Sequence, residues 1–224
     1  MNLQEKVNLT RGIFERVLSF SGYEDVYVAW TGGKDSTVTL SLWNHFLEDN
    51  GIKIKPVAIN LDTGLKFPEI IKFRDEISQK WDIELHVVKP EVDLENYPVA
   101  RDKVNCCRDL KVEPLKSAVS RFNVRSLITG IRNDEHPTRS IRDQVEEKTN
   151  PDYFQINPIL HWNVMDIWSF ITQKNLPYCS LYDQGFTSLG CMPCTRKSTG
   201  DGERSGRARD KEESLDVLRG LGYF

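Results

Sequence analysis

Two groups of residues in this chain have the types and spacing to do chemistry. The first is the run Thr31-Gly32-Gly33-Lys34-Asp35-Ser36, directly after the short apolar stretch "DVYVAW" at 25–30. Paired glycines between a strand and a helix let the backbone approach phosphate oxygens closely. The helix start then offers unpaired N–H groups and the positive end of its dipole. Lys34 adds a charge and Ser36 a hydroxyl. The run lacks the GxxxxGK(S/T) spacing of the Walker loop. On its own it reads either as an anion cradle or as a tight turn capped by Asp35 or Ser36.

The second group is cysteine. Four of the five cysteines form two short-spaced pairs, Cys106-Cys107 and Cys191-Met192-Pro193-Cys194. A fold can bring such pairs together as one four-thiolate site. Structural zinc takes ligands about two to four residues apart in each half. Adjacent ligands suit an iron–sulfur cluster better, because each thiolate can bind a separate iron corner. Zinc stays open on this reading. So does a redox pair within CxxC, although that leaves the adjacent pair unexplained. Arg108, Lys111, Arg196 and Lys197 flank these cysteines in sequence. They either offset the negative charge of a thiolate-bound cluster or form solvated surface, the expectation for Lys197 being surface. Cys179, the remaining cysteine, is expected as a semi-buried small apolar residue.

These residues need a frame to hold them. Apolar runs at 25–30, 55–61, 83–88, 124–130 and 153–159 read as buried strands. Helical periodicity is expected at 3–21, 37–49, 68–81, 107–122 and 163–174. Pro114 is expected to kink or delay the fourth of these helices. Asn163 and Asp166 form a capping-box pattern at the start of the fifth. Alternating strands and helices argue an α/β fold: a doubly wound, mostly parallel, five-stranded sheet. Ligands of such sheets bind beyond the strands' carboxyl ends. The unusual loops "TGGKDS", "DTGLKF" and "GIRNDEHPTR" fall there. Residues 1–177 are expected as this domain. Residues 178–224 read as an extended tail over the site, carrying the CxxC pair and ending in a short helix, Lys211–Arg219, and "GYF".

The 224 residues carry a net charge of -3, with 28% charged residues. That balance gives no bulk argument for a membrane surface. It disfavours a large nucleic acid unless one face is basic, so nucleic acid is not excluded. No apolar run is long enough to span a membrane. The amphipathic start is unlike a signal peptide, and a cytoplasmic location with reduced thiols is the expectation.

"TGGKDS" closely resembles the SGGKDS PP-loop of the ATP pyrophosphatases, with Thr31 replacing the first serine. Within that superfamily the chain resembles the sulfonucleotide reductase and sulfate adenylyltransferase small-subunit group (the PAPS/APS reductase family). The stretches "LDTGLKFPE", "GIRNDEHPTRS", "NPILHWNVMDIWSFI", "TSLGCMPCTR" and "ERSGR" carry the likeness across most of 26–207. The cysteines resemble the "CC…CxxC" signature of adenylylsulfate (APS) reductases, including the following Arg108, Lys111, Val112, Pro114 and Leu115. The resemblance implies an adenine nucleotide alpha-hydrolase-like fold and a [4Fe-4S] cluster on Cys106, Cys107, Cys191 and Cys194.

The likeness divides on chemistry. APS and phosphoadenylylsulfate (PAPS) reductases use a cysteine in an "ECGLH"-like tail as nucleophile, and this sequence has no cysteine after Cys194. Its loop is complete, and "ERSGR…GYF" resembles the adenylyltransferase tail. The leading expectation is an ATP-dependent enzyme of sulfur metabolism that releases pyrophosphate. Thr31, Gly32, Gly33, Lys34, Asp35 and Ser36 would hold the leaving group, with Mg2+ bridging the phosphates and Asp35 as a ligand. Asp62, Thr63 and Gly64 would sit near adenine and ribose, Asp62 otherwise capping a turn. Gly130 and Arg132 would line the cleft. Arg132 and Arg139 would bind the oxyanion substrate or α-phosphate, Arg139 otherwise pairing with a surface carboxylate. His136 is the weakest candidate.

Sulfate as acceptor implies a GTPase partner; a nucleic-acid base would instead receive sulfur from the cluster. One alternative is an APS/PAPS reductase whose nucleophile lies elsewhere, with an electron-donor protein as partner. Another is a non-catalytic nucleotide or redox sensor. Self-association is compatible with each.

Overall fold

A computed structural model describes residues 1–200 and 202–222. Tyr223 and Phe224 of the terminal "GYF" lie outside the described residues. The strands are β1 (Val26–Ala29), β2 (Val57–Leu61), β3 (Glu84–Val88), β4 (Ser126–Ile128), β5 (Val145–Lys148) and β6 (Tyr153–Ile156). They form one six-stranded sheet in the order β3-β2-β1-β4-β6-β5. All pairings are parallel except β5 with β6. The expected α/β class and mostly parallel sheet are present, with six strands rather than five. The added strand, "VEEK", has no apolar run. It is an edge strand whose Glu146 accepts from Arg142 Nε at 2.5 Å and Lys148 Nζ at 2.6 Å. Such charge protects an exposed edge and hides the strand from a hydrophobicity reading.

Side-chain alternation divides the core. Val26, Val28 and Trp30 pack with α1 (Leu3–Leu18), α2 (Lys34–Asp49), α3 (Pro68–Lys80) and α6 (Val164–Lys174). Tyr27 and Ala29 point to the other face, against Leu115, Ala118 and Val119. That face is covered by a helix that starts earlier than expected. It runs as α4 (Lys103–Cys107), one π-helical turn (Arg108–Val112), and α5 (Glu113–Arg121). Asp102 caps it, accepting from the N–H groups of Val104 at 2.9 Å and Asn105 at 3.0 Å. The π turn lets the Glu113 N–H reach the Arg108 carbonyl, five residues back. Pro114, which has no N–H to give, therefore starts α5 without ending the helix.

Asn163 caps α6 as its spacing predicts: its side chain accepts from Asp166 N–H at 3.0 Å, and Asp166 accepts in return at 2.7 Å. The tail crosses the carboxyl edge of the sheet. It ends in two short helices, α7 (Arg209–Glu212) and α8 (Leu215–Gly220), where one was expected. No helix among the described residues is long and apolar enough to cross a membrane.

Candidate active site

The strand order reverses direction at β1, whose neighbours β2 and β4 lead away on either side. That crevice is where ligands of this architecture bind. The loop after β1 enters it. Gly32 has φ +82°, a conformation that suits glycine, and a Cβ there would lie 3.0 Å from Ile70 Cγ2. Gly33 is extended and precedes the first turn of α2. Ser36 Oγ accepts from the Thr31 N–H at 3.2 Å and donates to the Gly33 carbonyl at 3.0 Å, closing the loop on itself. After β4, Gly130 lies flat against the start of α2. A Cβ at Gly130 would meet Ser36 N at 2.7 Å and the Asp35 carbonyl carbon at 2.9 Å.

Lys34 is buried. It pairs with Asp35 at 3.0 Å and with Glu203 from the tail. Its backbone N–H donates to Tyr182 Oη at 2.8 Å, and its ammonium lies 5.5 Å from that ring's centre. Burial disfavours the charged lysine, but Asp35, Tyr182 and Glu203 outweigh it and keep the proton tightly bound. Arg132 is fully buried behind the loop. Its Nε is 2.7 Å from Asp35 Oδ1, its Nη1 donates to Asp134 at 2.8 and 2.9 Å, and its Nη2 meets Glu203. Burial alone would raise the Asp35 carboxyl; Lys34 and Arg132 reverse this and hold it below its ordinary range.

A cavity of about 190 Å³ opens above the loop. Thr31, Gly33, Lys34, Asp35, Ser36, Thr63 and Gly130 line it. So do the cations Lys66, Lys111, Arg139, Arg204 and Arg207. Arg139 pairs with Glu135, and Arg204 holds Glu212 at 2.6 Å. Arg207 is packed so closely on Gly190 that a Cβ there would lie 2.3 Å from its guanidinium. Lys66 Nζ donates to the Thr31 carbonyl at 3.3 Å. Burial and the neighbouring Lys111 lower its pKa to about 8.

The four paired cysteines converge. Cys106, Cys107, Cys191 and Cys194 are all buried and line one small cavity of about 10 Å³, together with Lys111 and Lys211. Cys191 Sγ is 3.3 Å from Thr63 Oγ1. Burial would raise the Cys191 thiol; Lys111, the Thr63 hydroxyl, Lys211 and Lys66 bring it down to about 7 instead. Burial, together with the other three cysteines, raises Cys106. Four thiols around one point, with cations beside them, fit a group that takes four thiolates.

A model of the phosphoadenosine phosphosulfate reductase domain matches residues 25–197. The chain belongs to this family. An adenosine 5'-phosphosulfate reductase from Geobacillus sp. (strain WCH70) is 29% identical over 213 residues, covering 89% of this chain and 86% of the relative. Among solved structures, the PAPS reductase of Candida auris, in a phosphate complex, superposes with a TM-score of 0.69 at 19% identity. It covers 84% of this chain and 90% of its own. The Candida glabrata FMN adenylyltransferase bound to FMN and the ATP analogue AMPCPP reaches 0.70 at 22% identity, covering 98% and 82%. The two structures establish the fold. Family membership makes the chain an enzyme of sulfur metabolism whose ligand is an adenine nucleotide. The relatives' names favour the reductase alternative over the adenylyltransferase expectation.

Of the sequence-predicted residues, Thr31, Gly33, Lys34, Asp35, Ser36, Thr63, Gly130 and Arg139 line the cavity. Arg132 does not line the cleft; it is a buried counter-charge beneath the loop. Asp62 turns away as well. It accepts from the Gly64 N–H at 3.0 Å and faces Arg74 at 3.4 Å, so it caps a turn. His136 accepts the Thr138 N–H at 3.2 Å in a turn of its own. Arg196 and Lys197 are exposed, as expected for Lys197; Lys111 and, unforeseen, Lys211 lie beside the cysteines. Cys179 is fully buried in the main core rather than semi-buried. Sequence reasoning missed Lys66, Tyr182, Glu203, Arg204 and Arg207 as site residues. "LDTGLKFPE" and "ERSGR" contain four of them and were the available signal.

Proposed function

We propose that this chain is a sulfonucleotide reductase: it binds an adenylyl sulfate nucleotide and releases sulfite and AMP at the expense of a dithiol. One observation carries the reading. A single cavity joins the glycine-rich loop to five cations, and its wall at Cys191 is shared with the four-cysteine site. A [4Fe-4S] cluster would be held by Cys106, Cys107, Cys191 and Cys194. When bound it supplies a compact charge and a one-electron centre beside the cavity. The protein's own residues do the rest. Lys66, Lys111, Arg139, Arg204 and Arg207 neutralise phosphate and sulfonate oxygens, and guanidinium forks suit that task.

A thiolate attacks the sulfonate sulfur, the sulfur–oxygen bond breaks, and AMP leaves with the electron pair. A second thiol then attacks the S-sulfonated sulfur, forming a disulfide and releasing sulfite. Among the described residues the one thiol outside the quartet is Cys179, sealed in the core. Both thiols are assigned to a dithiol outside the described residues, as a thioredoxin-class electron donor provides. The test is sulfite release from APS with a dithiol, compared between wild type and Arg207→Ala. A loss of at least tenfold in the variant is expected. No sulfite from APS or PAPS with any dithiol defeats the reading.

One observation favours adenylyl transfer as a second reading. Asp35, Glu135 and Glu203 each bring a carboxylate oxygen within 4.8 Å of the others. Such hard oxygen donors suit Mg2+ carrying a triphosphate. Each is already paired with Lys34, Arg132, Arg139 or Arg204. Sulfate would be the acceptor, with a GTPase as partner. Pyrophosphate release from ATP that depends on sulfate and Mg2+ would establish it.

A further inference from the structure

The complete "TGGKDS" run raises a question that the reductase reading leaves open. Its lysine should be a seat for the terminal phosphates of a polyphosphate, yet that seat already holds an anion. Glu203 reaches in from the tail and bonds Lys34 with one carboxylate oxygen and Arg132 with the other. Both cations are buried, Lys34 at 2% exposed and Arg132 at 0%, and Glu203 is partly buried at 12%. Asp35 and Asp134 also face these two cations, and Glu135 stands close by. Two cations thus meet three direct carboxylate partners, and the seat is net negative before any ligand arrives. Lys34 shares the cavity with other cations, Lys66, Lys111, Arg139, Arg204 and Arg207.

We infer that Glu203 is a built-in competitor for polyphosphate, and so a specificity-determining residue. It takes the place of a terminal pyrophosphate group on Lys34 and Arg132. A ligand with that group must expel a doubly paired carboxylate from two buried cations, and breaking such buried pairs is strongly unfavourable. AMP and adenylyl sulfate carry no such group and leave Glu203 in place. The residue therefore selects nucleotides that end at a single phosphate or a mixed phosphate–sulfate anhydride, and selects against ATP. This explains how an intact loop is compatible with the reductase reading. It rests only on the cavity's being an adenine-nucleotide site.

The experiment measures binding of inorganic pyrophosphate, ATP and AMP to the cluster-loaded wild type and to Glu203→Gln, by calorimetry in a chelating buffer. Glutamine keeps the size and one acceptor but removes the charge; Glu203→Ala provides a second variant. The expected result is pyrophosphate and ATP affinity raised at least tenfold in both variants, with AMP affinity changed less than twofold. Unchanged or weaker pyrophosphate binding in the variants, with AMP binding retained, overturns the inference. So does a loss of ATP affinity in the variants on repeating the titration with Mg2+, which would make Glu203 a metal ligand. Absence of AMP binding in wild type would instead defeat the nucleotide-site reading, and the pyrophosphate comparison would still judge Glu203.

Discussion

Replacing Arg132 by methionine tests the electrostatic account of the loop. The guanidinium is fully buried, with Asp35 at 2.7 Å, Asp134 at 2.8 Å and Glu203 also in contact. Methionine fills much of the same volume, so packing changes little. What is lost is the charge: Asp35 and Glu203 are left with Lys34 alone, and Asp134 loses its cation. Removing one partner from a buried ion pair costs about 3–5 kcal/mol. In a chain of this size each kcal/mol moves the melting temperature by about 2–4 °C, so a fall on the order of 10 °C is expected at pH 7.5.

The pH dependence has a definite sign. In the wild type, burial opposes but Lys34 and Arg132 hold the Asp35 pKa below its ordinary 3.8. Asp35 therefore contributes stability above that value, which is lost as pH falls through the lower folded pKa. Without Arg132 the depression is relieved. Asp134, which burial already raises despite Arg132, rises further. The variant thus takes up protons at higher pH than the wild type, and its deficit narrows on acidification. Thermal melts of both proteins at pH 7.5 and 4.5 read this directly. A variant melting within about 2 °C of wild type at pH 7.5, or a deficit that stays constant with pH, refutes the reasoning.

Serine at Cys106, Cys107, Cys191 or Cys194 should each abolish or sharply reduce iron and acid-labile sulfide in anaerobically purified protein, whereas Cys179→Ala should retain both. Zinc in colourless wild-type protein would reverse the cluster assignment. Gly130→Ala places a methyl 2.7 Å from Ser36 N, against backbone that cannot swing aside. It should destabilise by about 1–3 kcal/mol and weaken AMP binding at least tenfold, measured by denaturant titration and calorimetry. Gly190→Ala displaces the Arg207 guanidinium, 2.3 Å from the new methyl. It should raise the KM for APS several-fold while leaving the melting temperature within a few degrees.

The parallel strands were legible as short apolar runs, mostly buried in β1 and β4 and kept by Leu85, Val87 and Val88 even in the half-exposed edge strand β3; β5 was not, because its residues are charged and it pairs on one side only. The loop was legible from two glycines and a lysine. The convergence of Cys106-Cys107 with Cys191-Cys194 was legible as chemistry, since adjacent thiols have few other uses. The role of Arg132 was not. Its position suggested a ligand contact, but its partners are set by tertiary structure: Glu203 lies 71 residues away in sequence. Tyr182, 148 residues from Lys34, is hidden for the same reason. The phosphate loop could be recognised from adjacent residues; the carboxylate that neutralises it could not.

The neighbourhood of the loop and the cysteine site follows from the segment between β2 and α3. Thr63 touches Cys191, and the Leu65 carbonyl accepts the Met192 N–H at 2.8 Å. The next residue, Lys66, reaches back to Thr31 in the glycine-rich loop. One short turn thus fastens the CxxC pair to the nucleotide side of the cavity. The same CxxC pair fastens the tail: Cys194 accepts the Ala208 N–H at 3.1 Å, and Arg196 donates to Gly206 at 2.8 Å. Glu203, Arg204 and Arg207 lie within the segment so closed. A group binding all four thiolates would tie this segment to the helix that carries Cys106 and Cys107, and hold three charged side chains over the loop. Positioning the tail would therefore be a sufficient reason for a cluster at these four cysteines, whether or not such a cluster exchanged electrons.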